Sequence, residues 1–465
     1  MNKVFCILFT AMALSACKFG PNFLGAPTQE LPASWVQSMP PASTEADLCT
    51  WWDCFRDPQL SSLIRQGFEG NPDMVTAALA IARAETELKA MRANFLPTAS
   101  ASLGASNSGN FDTSTSHGAW DAGLSASWTP DIWGRTRRQV EAAFAALGSS
   151  RAAALATRTA LAASIATSYF DWILAKESLR FAREQLAYQE RTYAVVAKRV
   201  ESGMQSGLDL AEARVSIANT RAQIPSYIAG IKTAENTLAI YLGTTVDKVK
   251  LTMPGPGVYN RIPRVPTGLP SELLRRRPDI ARAEYQLHQA TAGIGVQVAN
   301  LFPSLSISGR VGTSAPSDFA DFFQSAGWSL VGSVSQSIFN REQLRANVKL
   351  ARIAEQESAQ AYRKTVLNAF AEVEARLIDY ARLTNQLPQY EQAARAGKEA
   401  AELSLRLYNA GATNYLNVAS AERSWLNAEL NLISARQQIR STLARLCTAL
   451  GGGWQYTPPT QSAKS

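Results

Sequence analysis

Histidine is almost absent from this chain: His117 and His288 are the only two, far apart, and no Cys/His cluster has the spacing of a metal site. Neither a G-x-x-x-x-G-K-[ST] loop nor a G-x-S-x-G elbow occurs. Gly293-x-Gly295 lacks the third glycine of a dinucleotide loop and falls in a helical stretch. With no nucleophile, acid pair or cofactor loop standing out, the chain reads as a non-enzyme without metal or cofactor. Beyond the N-terminus no run of eighteen apolar residues appears, so no membrane-spanning helix is available. Basic residues give a formal charge of +8 that includes Lys3, but they are spread along helices among glutamates. That is the pattern of solvated helix faces, not of a nucleic-acid surface.

The N-terminus sets the compartment. Lys3 is a short basic region, Val4 to Leu14 is an apolar core too short to span a bilayer, and Leu14-Ser15-Ala16-Cys17 ends it with small residues before a cysteine. Residues 1–16 are expected to leave as a signal peptide, with Cys17 carrying covalent lipid; the bland alternative is an ordinary signal peptide with an incidental cysteine. Lys18 stands where inner-membrane lipoproteins commonly have aspartate, which points to the outer membrane. In that oxidising setting Cys49 and Cys54 are a candidate small-loop disulfide, two buried thiols being the alternative. Cys447, in a helical stretch, reads as a packing residue.

The chain is written twice. Asn71-Pro72-Asp73 returns as Arg277-Pro278-Asp279, and Asn94-Phe95-Leu96-Pro97 as Asn300-Leu301-Phe302-Pro303, both offset by 206. Gly203 with Leu208-Asp209-Leu210 returns as Gly411 with Leu416-Asn417-Val418, offset by 208. The organisation expected is a signal (1–16), a lipidated N-terminal segment with equatorial contacts (17–70), a first repeat (71–243), a linker (244–276), a second repeat (277–451) and a tail (452–465).

Each repeat contains two kinds of segment. From Pro130 to Pro225 no proline intervenes, and Ile165, Trp172, Leu179, Leu186, Tyr193 and Val200 recur every seven residues. Sustained heptads predict long supercoiled helices. Val366, Phe370, Val373, Leu377, Tyr380, Thr384 and Leu387 repeat the pattern in the second half, where Pro388 predicts a kink or a helix in stacked pieces. Breaks at Gly203 and Gly411 make each half a helical hairpin, with turns near 203–208 and 411–416. Ahead of each hairpin, strands are expected at about 98–109, 119–130, 304–313 and 327–338, alternating apolar residues with small hydroxylic ones. Trp120, Trp128, Trp133 and Trp328 lie at or just beyond strand ends, as in an aromatic girdle. His117 falls between the first two strands as a loop residue. A half-buried soluble sheet also alternates, but the serine-rich face and the tryptophans favour a membrane barrel.

Four strands cannot close, and an open edge in hydrocarbon leaves backbone groups unsatisfied at several kcal/mol each. Copies must share the barrel: two would give eight strands and a filled interior, three would give twelve and a lumen.

The lipobox followed by Phe19-Gly20-Pro21-Asn22-Phe23, the Trp51-Trp52-x-x-Phe55-x-Asp57-Pro58 stretch, Arg276-Arg277-Pro278-Asp279-Ile280 and the two glycine turns resemble the TolC-like outer-membrane efflux lipoproteins of the OprM type. The resemblance covers essentially the mature chain. It implies a mainly α fold with a membrane β portion, closing as a homotrimer into a twelve-stranded barrel and an α-helical barrel. It implies as partners a periplasmic adaptor and an inner-membrane pump, commonly of the resistance-nodulation-division class. The function expected is a passive exit duct for drugs or other small toxic compounds. An exit duct for type I protein secretion and a structural coiled-coil lipoprotein without a pore are the rivals.

The resemblance also places the gate at the periplasmic turns, where the family has acids after the second-repeat leucine. Here those positions are Asn417 and Ser420, and the acid is kept only in the first repeat, as Asp209. An acid near a helix N-terminus also has a local role with the dipole. Gly203, Leu208, Gly411 and Leu416 are the candidate adaptor-docking positions.

Overall fold

The computed structural model describes residues 18–28, 32, 34–36, 48–110, 115–259, 262–263, 273–316 and 326–453; side chains at 48–49, 110, 115–117, 259 and 314–316 are not described. Helix α1 (Pro58–Gly70) precedes the first repeat, which runs α2 (Pro72–Ala93), β1 (Thr98–Asn110), β2 (Thr115–Trp128), α3 (Arg135–Glu201) and α4 (Gly207–Tyr241). The second runs α5 (Pro278–Ala299), β3 (Ser304–Pro316), β4 (Gly327–Ser335), α6 (Arg341–Asn409) and α7 (Tyr415–Ala449). The duplication is visible in element lengths: α2 and α5 have 22 residues each, and α4 and α7 have 35 each. The drift of the offset from 206 to 208 falls inside the long helices, since α3 has 67 residues and α6 has 69.

Two sequence expectations are corrected. α6 continues through Pro388 as one element, so of the two alternatives, a kink or stacked pieces, the stacked pieces are ruled out. Proline forfeits one backbone bond and is tolerated in a helix that packing already holds; the neighbouring Leu383 and Leu377 are buried. His117 is not in a loop: β2 begins at Thr115, and His117 pairs with Ser108. The small polar residues of that stretch hid the strand's outer end.

The chain divides into two compact units. One comprises Leu79–Ala152 and Ala281–Thr365 with the N-terminal segment, and contains the sheet. Its strands are antiparallel in the order β1-β2-β3-β4, so β1 and β4 each have a single neighbour and one open edge. Register places Ser100 opposite Ser125 and Ser306 opposite Ser333, and both pairs hydrogen-bond, at 2.8 and 2.7 Å. Leu103, Leu124, Val311, Leu330 and Val334 share the other face and are exposed. A water-soluble sheet would bury such a face; here it is the surface that suits lipid.

The same unit holds the N-terminal segment through Arg138, a wholly buried guanidinium on α3. It donates to the Phe19 carbonyl (3.1 Å), the Gly20 carbonyl (2.9 Å), Asn22 Oδ1 (2.9 Å) and Glu141 (2.8 Å). Glu141 also receives Lys18 at 2.7 Å and faces His288 Nε2 at 3.1 Å, while Phe23 stacks on the His288 ring at 4.5 Å. Gly20 is required: its φ is +89°, and a Cβ there would lie 2.6 Å from the Gly295 Cα.

The other unit comprises Glu30–Ala78, Ala153–Ile280 and Val366–Ser465. Its core gathers Trp51, Trp52, Phe55, Leu60 and Ile64 against Ile165, Tyr169, Trp172, Leu377 and Leu443. Asp57 caps α1 through the Gln59 and Leu60 amides and accepts the Tyr169 hydroxyl at 2.9 Å. The repeated Asn-Pro-Asp and Arg-Pro-Asp motifs have one job in both copies. Asn71 Nδ2 donates to the Tyr241 carbonyl at the end of α4 (2.9 Å), and Arg277 Nη1 to the Ala449 carbonyl at the end of α7 (2.7 Å). Tyr241 and Ala449 are themselves equivalent at the 208 offset. Each helical hairpin is thus fastened at its open end, away from its turn, by the first residue of its own repeat.

Candidate gate at the two helical turns

Both turns are built alike. Helix α3 ends with the Gly203 amide donating to Val200 and the Met204 amide to Arg199; α6 ends with Gly411 donating to Tyr408 and Ala412 to Leu407. This is the paired bonding of a Schellman motif, which needs a left-handed residue; Gly203 has φ +73° and Gly411 +78°. Ser206 then caps α4 through the Leu208 amide (3.1 Å), and Asn414 caps α7 through the Asn417 amide (3.2 Å).

The candidate residues divide by environment. Leu208 and Leu416 are exposed beside the glycines, two apolar knobs that packing within the chain leaves uncovered. Asn417 and Ser420 are also exposed. The Asn417 amide group is committed locally, donating to Thr413 Oγ1 at 2.8 Å, and the Ser420 carbonyl accepts from Ser424. Asp209 is half-buried, and its Oδ2 is shielded from solvent without a hydrogen-bond partner among the described residues. The Cys17 position and the Cys49 side chain lie outside the described residues, so the lipid and disulfide expectations do as well.

Several residues that the sequence reading did not single out hold the turns together. Val196, Ala213, Tyr408, Tyr415, Val418 and Ala419, drawn from all four long helices, form a small apolar core behind them. The Arg199 guanidinium lies 5.0 Å from the Tyr408 ring centroid and donates to the Asn409 carbonyl, joining the end of α3 to the end of α6. A cation at a helix C-terminus and over an aromatic face is favoured on both counts. Burial and the Asp209 carboxylate raise the Tyr408 phenol, and its hydroxyl is another shielded atom without a hydrogen-bond partner among the described residues. Deeper in the bundle, Glu422 is buried at 1% exposure and accepts the Thr192 hydroxyl at 3.2 Å. Burial pushes its carboxyl up to about 7 against that hydrogen bond. No sequence motif marks these residues. Tyr408 and Glu422 sit at ordinary helical spacing, and their roles arise only where helices distant in sequence meet.

A membrane-type sheet joined to two long helical hairpins with matched turns defines an outer-membrane efflux channel. The chain belongs to the family described as outer membrane efflux protein, which matches residues 63–244 and 269–452 and so contains both repeats. Among its relatives, the pyoverdine export outer membrane protein OpmQ of Pseudomonas putida is 34% identical, the match covering 98% of each chain. The probable outer membrane lipoprotein SilC of Salmonella typhimurium is 32% identical over 90% of this chain and 91% of its own. The solved open state of the Neisseria gonorrhoeae MtrE outer membrane channel superposes with a TM-score of 0.85 at 29% identity, covering 95% of this chain and 99% of that one.

Proposed function

We propose that three copies close this sheet into a twelve-stranded outer-membrane barrel and that their helical hairpins continue it as the passive exit duct of a tripartite efflux system. The observation that carries the reading is a four-stranded sheet with an exposed apolar face, a serine face and two open edges. Only a closed barrel satisfies such edges in hydrocarbon. Three copies leave a lumen for the serine face to line. A coiled-coil tether without a pore gives that sheet no role. A periplasmic adaptor docks on the flanks of both turns, where Leu208 and Leu416 stand exposed, and an inner-membrane pump supplies the energy and selects the cargo. Covalent lipid on Cys17 anchors the chain to the membrane, in keeping with the relative named as an outer membrane lipoprotein.

Purified protein reconstituted into planar bilayers is expected to migrate as a trimer and to give discrete conductance steps. A monomer that leaves the bilayer silent overturns the proposal. Cys17→Ser is expected to abolish incorporation of radiolabelled palmitate.

A further inference from the structure

The serine face of the sheet carries two described charges, Arg310 on β3 and Asp121 on β2. Arg310 stands in register with Ser125 on one side and Ser329 on the other; Asp121 is opposite Gly104 and Ser314. They are therefore four register positions apart, with Asp121 nearer the β1–β2 connection. At about 3.3 Å per residue the separation is about 13 Å, beyond the Debye length at physiological salt, so each level acts by itself.

Both side chains lie over glycines. A Cβ at Gly123 would come 3.3 Å from Arg310 Nε and 3.5 Å from its Nη2, and one at Gly104 would come 2.3 Å from Asp121 Oδ1. The guanidinium thus rests along the strand surface instead of standing away from it. Around it Thr98, Ser100, Ser127, Ser308 and Ser329 line a hollow of about 430 Å³. This is a charged level that leaves its surroundings open and hydroxylic.

We infer that Arg310 makes its level of the lumen attract anions and repel cations, so that among the compounds the pump delivers small organic anions such as carboxylates are enriched there, and that Asp121 forms a separate level of opposite sign nearer the exit. The inference rests on the barrel closure proposed above, which brings three Arg310 residues to one height. Coulomb's law in water, screened over about one Debye length, enriches a monovalent anion roughly twofold and depletes a cation roughly twofold at about 10 Å from three guanidiniums. Their ratio then changes about fourfold.

A thiol beside Arg310 reads this directly and independently of any gate at the helical turns. In Ser329→Cys protein embedded in lipid, the rates of modification by membrane-impermeant anionic and cationic methanethiosulfonates give the ratio, against protein without the added cysteine as background. Adding Arg310→Ser is expected to lower the anion-to-cation ratio about fourfold at 0.1 M salt, while Arg310→Lys preserves it. Reaction with both reagents at a ratio unchanged by Arg310→Ser overturns the role of Arg310 and leaves the barrel standing. If the thiol introduced by Ser329→Cys is inert to both reagents, the serine face is not lined by water, and the barrel reading falls together with the inference.

Discussion

Glu422 is a carboxylate that the helical bundle has taken out of water with no cation paired to it among the described residues. The titratable groups that face it are Tyr188 of α3 and Tyr415 of its own helix, both raised by burial and neutral at ordinary pH. Its folded pKa of about 7 lies above the ordinary 4.5, so the packed bundle holds the proton more tightly than an opened or unfolded one. The contribution is fully present below about 4.5 and is lost as pH rises through about 7. A shift of this size corresponds to about 3 kcal/mol at most. Thermal melting is expected to show the native protein losing stability between pH 5 and pH 8 and Glu422→Gln losing less of it; parallel profiles would remove Glu422 from the account. Glu141 behaves in the opposite sense. Burial raises its carboxyl, but hydrogen bonds from His288, Lys18 and Arg138 outweigh that and bring it down to about 2. Its hold on the N-terminal segment persists above the ordinary 4.5 and is lost as pH falls through about 2. Glu141→Gln is expected to expose residues 18–23 to protease at neutral pH, which the native protein resists.

At the scale of elements, the turn glycines and the hairpin fasteners are testable in both repeats. Gly203→Ala and Gly411→Ala each force a side chain into left-handed backbone, at a cost of about 1–2 kcal/mol. Among the described residues no atom beyond the adjoining residues comes within 4 Å of a Cβ at either site, so backbone conformation is the whole effect. Arg277→Ala removes the Ala449 bond together with ion pairs to Asp279 and Glu372 at 2.8 and 2.9 Å. Asn71→Ala removes a neutral bond to Tyr241. Hydrogen exchange is expected to accelerate more at the end of α7 in the first variant than at the end of α4 in the second, by about 1 kcal/mol. The sequence made these elements legible because repetition, heptads and alternation are local: the 206 offset placed α5, the serine alternation placed four strands, and Gly203 and Gly411 placed both turns. Arg138, Arg199 and Glu422 were not legible, because each acquires its role from a partner remote in sequence: Phe19, Asn409 and Thr192. The outer end of β2 was missed for another reason, since Thr115-Ser116-His117-Gly118 carries no apolar residue to alternate.

For the whole molecule, the question is what keeps the turns together. Arg199 joins the two repeats of one chain, so Arg199→Ala is expected to raise the open-to-closed ratio in bilayer recordings about tenfold, equivalent to about 1.4 kcal/mol. Unchanged dwell times would assign Arg199 to packing alone. Asn417→Asp tests the second-repeat position differently. It adds charge to an exposed site, and single-channel conductance is expected to become sensitive to divalent cations. Insensitivity would place the residue away from the conducting path. The two experiments separate mechanical restraint from electrostatic constriction.

The unequal long helices carry a further consequence. Two extra residues in α6 amount to about 3 Å of rise and about 200° of rotation. The duplicated hairpins therefore differ in helix length yet end in matched turns, so the packing along α3 and α6 is not equivalent residue by residue. Tyr408 is fully buried, whereas Val200, its counterpart at the 208 offset, is only half-buried. A gene duplication that began as two copies of one surface has thereby kept like turns while the helix packing behind them has diverged.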